Sequence, residues 1–161
     1  MIIKRRSFLK AASCLPLSLS IPSLVHSEIN LGRTKITTVS DGSITLPASL
    51  TFDTMPKNEL DLIINEFSLS KDQLVRECNV TLVETEDRKI LFDVGAGLYF
   101  LDGMGVILDS LDEQGLAPED ITDVIFTHAH PDHIWGVLDD FDDLLFPEAM
   151  YHIGRVEWDY W

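Results

Sequence analysis

The residues in this sequence that could most clearly do chemistry lie in the segment Thr-His-Ala-His-Pro-Asp-His, residues 127–133. The segment holds three of the five histidines of the chain and one aspartate. Imidazole and carboxylate side chains bind metal ions and transfer protons. The alternative is a loop whose histidines only cap helices or form local hydrogen bonds, as an isolated histidine usually does. Four such side chains within six positions favour a metal site.

The spacing predicts two metal ions. His128 and His130 are two positions apart in an extended loop, so their rings can point the same way and share one ion. Asp132 and His133 are consecutive, and they can serve a second ion a few ångströms away. Zinc is the predicted metal, with iron or manganese as alternatives. Two ions about 3.5–4 Å apart would acidify a bridging water and provide a metal-bound hydroxide for hydrolysis. Asp132 is also the candidate catalytic residue.

An apolar run places this loop in the fold. Residues 124–126, Val-Ile-Phe, are typical of a strand that is covered on both faces, and they lead directly into Thr127. Such a strand fixes the first residues of the loop that follows it, as in α/β proteins. The histidine cluster is therefore expected at the carboxyl end of a buried strand.

Periodicity and turn residues predict the other elements. Residues 36–39 and 44–46 flank Ser-Asp-Gly-Ser and predict a β-hairpin. The helical spacing of Leu and Ile predicts a helix over residues 58–67, and Ser70 with Gln73 predicts the capping box of a short second helix. The remaining predicted elements are a hairpin of residues 80–85 and 89–93, a helix over 106–114 that ends at Gly115, a strand over 150–153 and a helix from Arg155.

Residues 1–27 predict an export signal. Four basic residues and no acidic residue precede an apolar, serine-containing stretch over residues 11–25. Two prolines interrupt this stretch, which is too short for a permanent membrane span, so we expect cleavage before Glu28 and no stable membrane anchor. Residues 4–10, Lys-Arg-Arg-Ser-Phe-Leu-Lys, resemble a twin-arginine signal, with an ordinary basic signal or lipidation at Cys14 as alternatives. A periplasmic or secreted protein is expected.

The composition of residues 28–161 excludes several classes of partner. This segment has eight of the 12 Lys and Arg residues and all 27 Asp and Glu residues, which gives a formal charge of −19. Nucleic acid and anionic membrane surfaces are therefore excluded as partners, and a small-molecule substrate is expected. Cys78 is the one cysteine of the segment, so a structural disulfide is excluded, and the residue is expected in the core.

The motif His-Ala-His-Pro-Asp-His, residues 128–133, resembles the signature of the metallo-β-lactamase-fold hydrolase superfamily, and Leu-Phe-Asp-Val-Gly at residues 91–95 resembles its Asp-x-Gly turn. The resemblance covers residues 35–161 and implies an α/β fold, the αββα sandwich. It also implies that His128, His130, Asp132 and His133 bind zinc, with two ions in a complete site, and that Asp93 is a buried supporting residue. Residues 146–149, Phe-Pro-Glu-Ala, and the aromatic residues after Arg155 are similar to the branch of exported lactonases and methyl-parathion-hydrolase-like enzymes. We expect those aromatic residues to pack in the core rather than line a pocket.

The motif supplies two ligands for each ion, whereas a catalytic zinc ion generally has three protein ligands. In the superfamily the further ligands lie downstream. Residues 28–161 are therefore expected to form the N-terminal half of the sandwich, a fragment with little activity alone. An uncovered sheet face would also favour aggregation or a homodimer. The alternative function is a truncated or degenerate, non-catalytic metal-binding half-domain.

The acidic run at residues 139–143 lacks the pattern of a calcium loop, so a solvated loop is expected there.

Overall fold

A computed structural model describes residues 27–161 of the chain. The predicted export signal, apart from its last residue, lies outside the described residues. Residues 27–161 form six strands and five helices in a mixed α/β fold. The strands are β1 (Glu28–Leu31), β2 (Thr34–Pro47), β3 (Gln73–Glu84), β4 (Lys89–Phe92), β5 (Asp123–Phe126) and β6 (Met150–Ile153). The helices are α1 (Ser49–Phe52), α2 (Lys57–Phe67), α3 (Ile107–Asp112), α4 (Pro131–Ile134) and α5 (Arg155–Tyr160).

The strands form one sheet in the order β1-β2-β3-β4-β5-β6. Strands β1 to β4 pair antiparallel, whereas β5 runs parallel to both β4 and β6. Each parallel step needs a connection that crosses back along the sheet, and the segment from β4 to β5 contains α3 for this purpose. The parallel part therefore brings the carboxyl ends of β4, β5 and β6 to one edge of the sheet.

The predicted hairpin over residues 36–46 is wrong. Residues 34–47 form the single long strand β2, which pairs with β3 on both sides of an irregularity between Ser40 and Ser43. The Ser-Asp-Gly-Ser sequence makes a β-bulge there, with Gly42 at φ 102°. Turn-forming residues predict a local change of direction, but pairing with a neighbour 12 residues long keeps the strand continuous.

The predicted second helix near Ser70 is also wrong. The Ser70 hydroxyl accepts hydrogen bonds from the backbone N–H groups of Asp72 and Gln73, at 3.2 Å each. The same bonds would cap a helix, but here they form a turn that leads into β3. Gln73 is the first residue of β3 and pairs with Pro47 of β2. Tertiary pairing therefore overrides the local capping signal.

The other predicted elements are confirmed. Helix α2 spans Lys57–Phe67, and α3 spans Ile107–Asp112, with Gly115 shortly after its end at φ 73°. Strands β4, β5 and β6 occupy their predicted positions, and β3 includes its predicted part and begins earlier. These elements rest on periodicity and glycine signals that tertiary contacts reinforce. Within residues 27–161 no helix is long and apolar enough to cross a membrane.

The core lies on one face of the sheet. The strand registers place Thr37, Leu82, Leu91 and Val124 in one row across β2 to β5, and all four side chains are buried. Ile107 and Leu111 of α3 belong to the same apolar cluster. Burial of each large aliphatic side chain contributes about 1.5–3 kcal/mol, so this row anchors the strands that lead to the histidine loop.

The aromatic residues of α5 contradict their predicted burial. Trp158, Tyr160 and Trp161 are 71%, 78% and 67% exposed, respectively. Helix α5 has no buried residue among those that the structure describes. The rings of Tyr160 and of Trp161, which follows α5, lie 5.3 Å apart, and the Trp161 ring lies 6.2 Å from the His130 ring, centroid to centroid.

A buried carboxylate fastens the end of β5 that is opposite to the histidine loop. Asp123 is 3% exposed and accepts two hydrogen bonds from Arg88, at 2.7 and 3.0 Å. The Thr122 hydroxyl donates to it at 2.7 Å, and His152 lies at 3.2 Å. The hydrogen bond from Thr122 is the largest cause that lowers the pKa of Asp123, followed by His152 and Arg88.

We expect Asp123→Asn to change how stability depends on pH. A lowered folded-state pKa stabilises the fold above the unfolded pKa, near 3.8, and this contribution is lost as the pH falls through the folded value. At neutral pH the variant should therefore melt about 2–6 °C below the wild-type chain, because charged hydrogen bonds are weakened. The difference should shrink as the pH falls below 3.8. Thermal melts from pH 7 to 3 test this expectation, and a difference that stays constant would contradict it.

Candidate metal centre

The four predicted ligands lie together at the carboxyl end of β5. The His128 ring is 4.6 Å from the His130 ring and 4.0 Å from the His133 ring, measured between centroids. An Oδ2 atom of Asp132 lies 3.5 Å from Nε2 of His133. His130 is exposed and the other three residues are half-buried, so the cluster is open to solvent and to small ligands.

Local structure explains this convergence. Strand β5 is almost entirely buried and delivers Thr127 to the edge of the sheet. His130 is the N-cap of α4 in an extended conformation, and Pro131 occupies the first turn, where proline is favourable. Helix α4 then turns the chain so that His133 comes close to His130 again. The His133 backbone N–H donates to the His130 carbonyl oxygen at 3.0 Å. The loop therefore reverses between the second and third histidines and brings their rings to one side.

Asp93 supports the loop from the end of the neighbouring strand β4. Its Oδ1 atom accepts the Thr127 backbone N–H at 2.8 Å, and its Oδ2 atom accepts the Thr127 hydroxyl at 2.8 Å. The same Oδ2 atom is 2.9 Å from Nδ1 of His133. The side chain is buried, and its backbone has φ 71°, a left-handed conformation that aspartate tolerates better than most residues. Asp93 thus occupies the supporting position that the resemblance implies.

These bonds determine which ring nitrogens remain available. A carboxylate only accepts, so the Thr127 hydroxyl donates its hydrogen to Asp93 and accepts from Nδ1 of His128, at 3.1 Å. His133 likewise donates from Nδ1 to Asp93. With Nδ1 as the donor, Nε2 of each ring is the nitrogen that can accept a hydrogen bond or bind a metal ion, and Nε2 of His128 is paired with Nδ1 of His130 at 3.0 Å. One carboxylate therefore orients two of the predicted ligands.

Three further side chains near the loop carry no signal in the sequence. Glu157 of α5 accepts hydrogen bonds from the backbone N–H of Ala129, at 2.7 Å, and from the Trp161 indole, at 2.8 Å. The Ala129 bond is the main cause that lowers the pKa of Glu157. The Cys78 thiol donates to the Asp132 carbonyl oxygen at 3.4 Å. The third side chain is Asp41, which accepts a hydrogen bond from the backbone N–H of Ala96 at 2.7 Å. No local pattern could have revealed these contacts, because their partners are distant in the sequence.

Cys78 is half-buried rather than part of the core, which corrects its predicted place. The pKa of its thiol is raised to about 12, mainly by burial and in smaller part by the charges of Asp41, Asp132 and Asp93. The thiol therefore stays protonated at physiological pH. A cavity of about 270 Å³ lies beside it and is bordered by Asp132 and His133.

The four side chains are of the types that bind zinc, but too few of them converge on one position. Three imidazoles and a carboxylate are the ligands that zinc prefers with nitrogen and oxygen donors. Within residues 27–161, however, no group of three or more His, Cys, Asp or Glu side chains is placed to hold one ion. Instead Nε2 of His128 and Nδ1 of His130 are hydrogen-bonded to each other at 3.0 Å. Two metal ions here would replace that bond and would need donors besides these four.

Comparisons with known proteins agree with this arrangement. The family model of the metallo-beta-lactamase superfamily matches residues 74–155, which include the loop and Asp93. A mouse protein, metallo-beta-lactamase domain-containing protein 1, is 53% identical over 51 residues, which cover 32% of this chain and 17% of the mouse protein.

Two solved structures resemble most of the described fold. AidC, a dizinc quorum-quenching lactonase in complex with a product, is 34% identical with a TM-score of 0.77, and the match covers 84% of this chain and 47% of AidC. The hydrolase AbOPH of the beta lactamase superfamily is 28% identical with a TM-score of 0.75, over 84% of this chain and 46% of AbOPH. This chain thus spans just under half the length of either enzyme.

Proposed function

This chain belongs to the metallo-beta-lactamase superfamily, and on that premise we propose that it is the metal-binding part of a metal-dependent hydrolase. The observation that carries the proposal is that the rings of His130 and His133 lie 4.6 and 4.0 Å from the His128 ring, with Asp93 bonded to His133. A purely structural loop would not need two histidines whose Nδ1 atoms are both directed to one buried network. Such a network directs the Nε2 atoms away from Asp93 and towards the other proposed ligands, His130 and Asp132.

We propose that His128 and His130 hold one ion and that Asp132 and His133 hold a second. Zinc suits this donor set best, and the dizinc lactonase AidC supports that choice. When bound, zinc supplies Lewis acidity, which polarises a carbonyl group and lowers the pKa of a water molecule. Asp132 is also the candidate catalytic residue, because its carboxylate is half-buried next to His133 and can accept a proton or a hydrogen bond.

The residues around the ligands would restrict their motion. Asp93 holds the rings of His133 and, through Thr127, of His128. Glu157 holds the Ala129 backbone between the first two histidines. Because positioning within about 0.5 Å determines how well a site works, these contacts would reduce the reorganisation needed when a metal ion binds.

The substrate class that we propose is a carboxylic ester or a lactone. The similarity to AidC and to AbOPH supports the branch of lactonases and related hydrolases. The cavity beside Asp132 and His133 is lined by apolar side chains at Ile44 and Met104 and by polar ones that include Arg76 and Asn79, a mixture that suits an organic substrate with polar groups. The strongly acidic surface would disfavour polyanionic substrates.

We also propose that the donors still needed for each ion lie outside residues 28–161, so that this chain is an N-terminal fragment. The match to just under half of AidC and the absence of a three-donor group among residues 27–161 support this. The export signal in residues 1–27, and with it a periplasmic or secreted location, remains a prediction. Formation of a homodimer through the exposed apolar side chains likewise remains a prediction.

A second candidate function is a non-catalytic metal-binding module. The lack of three converging donors among the described residues favours this alternative. The two functions differ in what the coding sequence contains after codon 161. Further histidines and a bridging aspartate in the same frame would support the hydrolase, whereas an immediate stop codon would support the module.

Metal removal tests the proposed function directly. The chain, and the longer protein if the reading frame continues, is dialysed against a chelator and reloaded with zinc. We expect the chain to bind zinc or cobalt, and we expect the longer protein to hydrolyse p-nitrophenyl esters or lactones only when reloaded. Metal analysis and a pH-stat assay measure both properties. Hydrolysis that is unchanged by the chelator, or a chain that binds no metal, would contradict the proposal.

A further inference from the structure

Asp41 is a buried carboxylate that the proposed chemistry does not use. It lies at the bulge of β2, and its side chain is fully inaccessible to solvent. Among residues 27–161, no Lys, Arg or His side chain forms an ion pair with it. A buried carboxylate without a cation is costly unless hydrogen bonds satisfy it, so its partners should reveal why it is there.

The partners of Asp41 are backbone N–H groups on two other segments. Its Oδ2 atom accepts from Ala96 at 2.7 Å, and its Oδ1 atom accepts from Ile107 at 3.2 Å. Its carbonyl oxygen accepts from Gly105 at 2.8 Å and from Val106 at 3.4 Å. Asp41 therefore ties β2 to the loop after β4 and to the start of α3. Burial raises the pKa of Asp41, and the N–H bonds, led by that of Ala96, oppose this rise.

The loop after β4 connects Asp41 to the histidine loop. Asp93 contacts both ends of the histidine loop, at Thr127 and His133. The Val94 N–H donates to the His133 carbonyl oxygen at 3.0 Å. Asp93 and Val94 thus both contact residues of the histidine loop.

The next residue continues this series. The Gly95 carbonyl oxygen accepts from Gly136 at 3.2 Å, just after α4. A Cβ atom at Gly95 would lie 2.2 Å from Cγ of Asp41, and one at Gly136 would lie 2.4 Å from the Val94 carbonyl oxygen. This close approach leaves the segment little room to shift. Its position is therefore set by Asp41 on one side and by the histidine loop on the other.

From this geometry we infer that Asp41 is a positioning residue for the metal centre, acting through residues 93–96. The inference rests on the proposed function in so far as it concerns metal binding. Asp41 does not touch the ligands. It holds the segment from which Asp93 orients His128 and His133.

Native-state hydrogen exchange of the metal-free, wild-type chain is the first test. If Asp41 holds this segment as a unit, the amides of Val94, Ala96 and Gly136 should open together, with one free energy and one dependence on urea. Separate opening of Ala96 would overturn the inference. This measurement needs neither a variant nor a metal ion.

The second test compares Asp41→Asn with Asp123→Asn. Both substitutions replace a buried carboxylate by an isosteric amide, but Asp123 lies at the opposite end of β5. We expect Asp41→Asn to speed exchange at Val94 and Gly136 and to weaken cobalt binding about 10- to 100-fold, as loss of outer supporting groups does. Asp123→Asn should leave the exchange rates at Val94 and Gly136 and the cobalt affinity unchanged. This should hold even if its melting temperature falls as much as that of Asp41→Asn.

The outcomes of this comparison are distinct. Equal cobalt affinity in the two variants would overturn the inference. If the wild-type chain bound no cobalt, the proposed function would fail, and the exchange data alone would decide the role of Asp41. If Asp41→Asn did not fold, the wild-type exchange pattern would decide it.

Discussion

Replacing both His128 and His130 by alanine should remove most of the response of this chain to zinc. The double variant removes both proposed ligands of one ion, and the loss of a mere supporting group already weakens metal binding about 10- to 100-fold. We therefore expect the zinc affinity to fall by more than about 100-fold. Zinc at about 100 times its dissociation constant should stabilise the wild-type chain by about 2.7 kcal/mol, which raises the melting temperature by about 5–10 °C. The double variant should keep at most the smaller rise that Asp132 and His133 alone could give.

The metal-free double variant should remain folded. The two rings are half-buried or exposed, and their bonds lie at the edge of the sheet, so the stability lost should be below about 1 kcal/mol. His152→Ala is a suitable control, because His152 pairs with Asp123 and lies away from the loop. Differential scanning fluorimetry with and without zinc, together with metal analysis, measures the effect. Equal zinc stoichiometry in the double variant and the wild-type chain would refute the assignment of these ligands.

Gly95→Ala should produce a large loss of stability. Gly95 has φ 78°, and a left-handed conformation costs an alanine about 1–2 kcal/mol. The added Cβ would also lie 2.2 Å from Cγ and 2.3 Å from Oδ2 of Asp41. Two hydrogen bonds hold that carboxylate, so it cannot move without losing them, and overpacking adds about 1–3 kcal/mol. We expect a total of about 2–5 kcal/mol in urea unfolding.

Gly115→Ala separates the cost of the left-handed backbone from the cost of the contact with Asp41. Gly115 also has positive φ, at 73°, but no atom lies within 4 Å of the position that its Cβ would occupy. This variant should therefore lose only the backbone contribution of about 1–2 kcal/mol. The difference between the two variants measures the contact with Asp41. If Gly95→Ala and Gly115→Ala lowered the free energy of unfolding equally, the close packing of Gly95 against Asp41 would contribute nothing to stability.

Both corrections in the fold arise where local signals conflict with strand pairing. Ser40 to Ser43 are turn residues, and Ser70 with Gln73 is a capping pattern, yet both segments lie in or beside the long pair of β2 and β3. A bulge accepts glycine and aspartate as readily as a turn does, and a serine cap can end a turn as well as begin a helix. The choice is made by the partner strand, which cannot be recognised from either segment alone.

The exposed aromatic residues of α5 show a different limit. Apolar composition indicates which side chains are stabilised by burial, but it does not specify which surface buries them. Trp158 and Tyr160 remain exposed because residues 27–161 provide no surface to cover them. Their predicted burial fails for this part of the fold.

Sequence by itself determined the candidate ligands, because His128, His130, Asp132 and His133 are close along the chain and follow a strand that its apolar run makes recognisable. The resemblance of residues 91–95 to the Asp-x-Gly turn of the superfamily also indicated Asp93. Tertiary structure alone decided what holds these residues in place. Asp41 meets Ala96 across 55 positions, Cys78 meets Asp132 across 54, and Glu157 meets Ala129 across 28. Local periodicity reports only neighbours within a few residues, whereas contacts of this range exist only once the sheet has brought its strands together.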